Sequence, residues 1–140
     1  MAELVTDEFA ESLVSTCRVT VGDSLRSVIY FTPDDFELRY VRSDLYEGDE
    51  DALHRAKSAF VENERVGFED KETYNRLATE PDLEPDVGEY EFTIRVFSAG
   101  FVSRVIVADR GVIVTSDGIE MGPFEDMAVA IRKMLADPDA

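Results

Sequence analysis

From residue 89 to residue 116 the chain falls into three short strand-like runs separated by turn formers, the first alternating apolar and polar side chains. Tyr90, Phe92, Ile94 and Val96 recur at every second position, and Ser98-Ala99-Gly100 ends the run. Residues 101–108 form a second run, Asp109-Arg110-Gly111 a tight hairpin turn, and residues 112–116 a third. A period of two suits a strand, whereas a helix repeats every 3.6 residues. Turns this short make consecutive strands antiparallel neighbours. The segment is therefore a three-stranded meander, and its apolar face needs a second layer to cover it.

The rest of the chain supplies two further strands and the covering helices. Residues 6–20 carry Val5, Phe9 and Leu13 on one stripe, with Ala10, Val14 and Cys17 beside it. Thr6 can cap this helix, Asp7 and Glu8 suit its positive end, and Gly22 suits its stop. Residues 25–32 and 36–42 read as a hairpin around Pro33-Asp34-Asp35. In its second strand Phe36, Leu38 and Tyr40 fall on one face, and Glu37, Arg39 and Val41 on the other. A second helix over 49–63 starts at the cap Asp49, with Leu53, Ala56 and Phe60 as its apolar stripe. A short helix over 71–78, capped by Asp70, buries Tyr74 and Leu77. The closing helix places Pro123 at its first position and Phe124, Met127, Ala128, Ile131, Met134 and Leu135 on a broad buried face. Asp137-Pro138 ends it.

The expected fold is α+β, in the order α-β-β-α-β-β-β-α with an extra short helix after the second. One five-stranded, mostly antiparallel sheet combines the hairpin and the meander. Residues 1–140 read as one domain, because neither side of the acidic proline-containing loop at about 79–88 could bury enough surface alone. Roadblock-like and longin-like modules resemble this element order, and sensor domains of the PAS type share the ingredients in another order. At the residue level, the run from Val21 through Asp23, Arg26 and Tyr30 to Phe36 resembles a family of small acidic haloarchaeal proteins. The run from Tyr90 through Arg95 to Phe97 resembles the same family, which carries no assigned activity.

Charge narrows the setting. Asp and Glu total 31, Lys and Arg total 14, and the net charge is −17. At ordinary ionic strength such a surplus strains a compact chain, whereas in molar salt the Debye length falls to roughly 3 Å. Lys57, Lys71 and Lys133 are the only lysines. A carboxylate-rich, lysine-poor chain fits a halophilic cytoplasm. No apolar run approaches the roughly 20 residues that a membrane helix needs, and Met1-Ala2-Glu3-Leu4 lacks a signal-peptide pattern. Nucleic acid is disfavoured, since a phosphate backbone demands a basic face.

Catalytic chemistry has little to draw on. His54 is the only histidine and Cys17 the only cysteine, so paired-His metal sites, Cys clusters and disulfides within the chain are excluded. His54 reads as the surface partner of Glu50, and Cys17 as a buried inert thiol. Asp44, Glu47, Asp49, Glu50 and Asp51 lack the order of an EF-hand. No glycine-rich phosphate loop can be drawn through Gly111 or Gly118. No metal, cofactor or catalytic set is expected.

The remaining candidate is a mixed sheet face. Strand alternation places Arg39 and Val41 with Arg95, Phe97 and Arg104, flanked by Val102 and Ile106. Such a face is either covered by the first or last helix or left as a contact surface, where arginine and aromatics are enriched. The expected function is a non-enzymatic interaction module, a homodimer or the partner of another protein. The alternative is a sensor holding a small anion near Arg39, Arg95 and Arg104.

Overall fold

The computed structural model describes residues 4–84 and 87–137. Pro138, the expected stop of the last helix, and Pro85-Asp86 of the acidic loop lie outside the described residues. The elements are α1 (Asp7–Val21), β1 (Leu25–Phe31), β2 (Phe36–Val41), α2 (Glu50–Glu64), α3 (Val66–Thr79), β3 (Thr93–Phe97), β4 (Gly100–Val107), β5 (Arg110–Ser116) and α4 (Met121–Ala136). The α+β order of the sequence reading is the order observed.

All five strands lie in one antiparallel sheet, ordered β2-β1-β5-β4-β3. The hairpin and the meander meet where β1 pairs with β5. That puts β1, β5 and β4 in the interior of the sheet, and their burial is nearly continuous along the chain. Helices α1 and α4 cover one face, over a core of Phe9, Leu13, Val28, Val105, Val114, Phe124 and Ile131. Helices α2 and α3 cover the other, over Ile29, Phe31, Val61, Val102, Ile106 and Ile113.

Local signals explain the boundaries. The Thr6 hydroxyl accepts the Phe9 N–H at 3.1 Å, and the Asp49 carboxylate accepts the Ala52 N–H at 2.9 Å. Each oxygen satisfies an amide that the helix itself cannot. Gly22 follows α1 with φ +57° and donates its N–H to Arg18, a conformation that a Cβ would oppose.

Several boundaries differ from the sequence reading. Helix α3 starts at Val66 instead of residue 71 and follows α2 across Arg65. It packs through Gly67 and Phe68 in its first turn, so Tyr74 and Leu77, expected to be buried, are half exposed. Strand β3 starts at Thr93 instead of residue 89. Pro123 occupies the third position of α4, not the first. The turn between β4 and β5 is Ala108-Asp109, with Ala108 at φ +54°, and Arg110 and Gly111 already belong to β5.

Gly111 is therefore a packing residue, not a turn residue. A Cβ there would fall onto the Phe31 ring of the neighbouring strand. Gly111→Ala should cost roughly 1–3 kcal/mol through overpacking. At Gly122, in α4, no atom beyond its own stretch of helix lies within 4 Å of where a methyl group would stand. Gly122→Ala should instead add about 0.5–1 kcal/mol by helix propensity. Denaturant midpoints of the two variants should move in opposite directions.

Candidate functional site

The α2–α3 face of the sheet holds a buried charge cluster. Arg104 lies mid-strand in β4 and Glu64 at the end of α2, and both side chains are 2% exposed. Their ion pair measures 2.9 Å from Nη1 to Oε1, and the same Nη1 reaches the Glu64 carbonyl at 3.4 Å. Arg104 Nη2 donates to Thr93 Oγ1 at 2.9 Å and to the Tyr90 hydroxyl at 3.3 Å. Arg95 Nε, on β3, takes the second Glu64 oxygen at 2.7 Å. That hydrogen bond raises the Arg95 pKa, against a smaller opposing effect of burial.

Gly67 makes this cluster possible. A Cβ on it would stand 2.5 Å from Arg104 Cζ and Nε and 2.6 Å from Ile106 Cδ1. The missing side chain lets the first turn of α3 lie directly on the guanidinium plane. Arg104 Nε, sealed beneath it, has no hydrogen-bond partner among the described residues.

The structure brings together part of the expected mixed face. Arg95, Phe97 and Arg104 share the α2–α3 side with Val102 and Ile106, and register places Val41 there opposite Ser27. Arg39 departs from it. Val28 pairs with Tyr40 and Ile29 with Leu38, so Arg39 sits in a β-bulge that breaks the alternation. Its guanidinium turns to the α1 side, 3.2 Å from Asp7 and 3.9 Å from Glu37. The cover is also different from the expectation: α2 and α3 close this face, not the first or last helix.

The residues missed by sequence reasoning lie on α2. Leu53, Ala56 and Phe60, its expected stripe, are only partly buried. Lys57, Val61 and Glu64 are the buried residues, at helical spacing four and three. A stripe with a charged residue on either side of one valine looks like a solvated face, which hid it.

Elsewhere the expected placements settle simply. Cys17 is fully buried, and loss of hydration pushes its thiol up to about 12. That fits an unreactive thiol. His54, expected to pair with Glu50, is exposed and stacks instead on Phe36 at 5.5 Å, across the sheet from Cys17. Arg42 bridges Asp44 at 2.7 Å and Asp117 at 2.5 Å, and Asp117 also holds Arg26 at 2.7 Å. Hydrogen bonds from these arginines keep both carboxyls below the usual range. Arg110, on no candidate face, donates to the Tyr30 hydroxyl at 2.8 Å and to the Leu135 carbonyl at 2.7 Å. It thereby ties the start of β5 to the end of α4.

The chain belongs to the family described as a domain of unknown function, DUF7522, whose model matches residues 11–136. No curated protein matches its sequence. Among solved structures, Myxococcus xanthus MglB is similar with a TM-score of 0.49 and 12% identity, over 99% of this chain and 100% of that one.

Removing one partner from a buried ion pair leaves an uncompensated charge, at a cost of roughly 3–5 kcal/mol. Glu64→Leu should lower unfolding free energy by about that amount. The double variant Glu64→Leu, Arg104→Met should recover much of it. Denaturant unfolding of the four-member cycle measures the coupling, and additive costs would show that the pair does not act as a unit.

Proposed function

We propose that this chain is a non-enzymatic interaction module that pairs with a second copy along the outer edge of β3. The observation that carries the reading is the state of that edge. β3 ends the sheet order, and its Val96 and Phe97 are 73% and 53% exposed. An open edge offers unpaired backbone donors and acceptors to another strand.

The two ends of the sheet differ. β2 is bulged at Arg39 and flanked by the ion pairs of Asp7, Glu37 and Arg39. Bulges and charges are the ordinary protection of an edge. β3 has no register shift against β4, and Thr93–Phe97 contains no proline, lysine or carboxylate. In a chain of net charge −17 a segment without acidic residues is where two copies repel least. A halophilic cytoplasm, expected from the composition, would screen the rest.

The mixed face is less available as a contact surface. Arg95 and Arg104 are engaged with Glu64 beneath α2 and α3, and an anion there would have to displace a buried carboxylate. Tyr74, half exposed on α3, stacks on Tyr90 just before β3 at 6.2 Å. Among the described residues no helix is long and apolar enough to cross a membrane.

Sedimentation in molar potassium chloride tests the proposal. The expected species has twice the 15.7 kDa chain mass, and Val96→Lys should convert it to monomer while its circular dichroism stays unchanged. A monomer at high micromolar concentration, or a dimer indifferent to Val96→Lys, would overturn it.

A further inference from the structure

We infer that a cleft between α2 and the β3–β4 turn is a binding site for a small organic anion, a carboxylate on an apolar body. Its central residue is Lys57, which is only 3% exposed. Among the described residues its ammonium makes no ion pair. It rests on the rings of Tyr46 and Phe60, at 5.5 and 5.1 Å from their centroids. A lysine side chain this buried normally brings its ammonium to a carboxylate partner, because losing water costs several kcal/mol. The absence is notable in a chain with 31 acidic residues.

The cleft has a volume of about 200 Å³ and opens beside Lys57. Arg26, on β1, is the second cation on its wall, and Phe60, Phe97 and Val102 provide its apolar walls. Asp117 holds Arg26 at 2.7 Å through Nη1. Thr115 and Ser116 complete the lining, with the Thr115 hydroxyl bonded to that of Ser27 at 2.5 Å. The walls thus offer one ammonium without an ion pair, one arginine already held by Asp117, and aromatic surface, and no carboxylate lines them among the described residues. Cations with a few polar groups on apolar walls are the usual make-up of a site for a small acid.

The electrostatics agree with the geometry. Burial, and then the nearby Arg26 charge, push the Lys57 pKa down from 10.5 to about 8. Facing Lys57 are Arg26 from β1 and the ionisable Tyr46 ring from the segment before α2. A bound carboxylate would reverse the penalty and raise the pKa. Affinity should accordingly be steady below pH 8 and fall as Lys57 loses its proton above it.

Benzoate is the probe, titrated calorimetrically into the folded chain at fixed potassium chloride concentration. The expected result is saturable binding of one benzoate per chain, weakened roughly ten- to a hundredfold by Lys57→Met and by Arg26→Gln. Acetate should bind far more weakly, since it lacks the apolar body. Should Lys57→Met fail to fold, Arg26→Gln and the Lys57 ¹³Cε resonance remain as readouts, and saturating benzoate should move the Lys57 titration upward. Non-saturable benzoate binding, affinity unchanged in the variants, acetate binding as tightly, or a Lys57 titration that benzoate does not move would each overturn the inference. Phe97 belongs to both the cleft and the β3 edge, so the titration is repeated on Val96→Lys, where unchanged benzoate affinity separates the site from β3 pairing.

Discussion

Strands β1, β4 and β5 carry apolar side chains on both of their faces, and a sheet buried on both sides needs helices on both sides. Most of the architecture follows. The chain must cross the sheet between β2 and β3, and it uses α2 and α3 for the crossing. Helices α1 and α4, at opposite ends of the sequence, must then close the remaining face together. The same requirement drives Arg104 into the interior. A long cation in the middle of a doubly covered strand has no path to water, so α2 delivers Glu64 to meet it.

Local features of this fold were legible in the sequence because their signals are local. Sequence patterns located the hairpin, the meander and all four helices, and Thr6 and Asp49 cap as their side chains suggest. What depends on pairing between distant segments was not legible. Nothing near β1 announces that its neighbour is β5, some 88 residues away at the Ser27–Thr115 contact. The bulge at Arg39 was hidden for a related reason, since a bulge is a property of two strands and the alternation was read from one. The turn misplaced onto Gly111 shows the same limit: the glycine answers to Phe31 on another strand.

The candidate site was only half visible. Arg95, Phe97 and Arg104 were placed together by alternation, which a regular ladder preserves. Glu64 and Lys57 were missed because charged residues on a helix read as a solvated face. Both are buried through tertiary packing, with opposite outcomes: Glu64 has two arginines, and Lys57 has aromatic rings. In this acidic protein the buried charges thus lean positive, Arg104 and Lys57 standing against one buried carboxylate among the described residues. The surface takes the surplus of negative charge.

The union of β1 with β5 also sets the order in which the protein can be made. While a ribosome extends the chain, β1 can pair with β2 on one side only. Its other edge stays open until residues 111–116 emerge, and α1 lacks α4 as a neighbour until still later. Pairings this distant in sequence slow folding, since a long loop must close before any contact rewards it. The N-terminal half thus passes through synthesis as an unfinished layer.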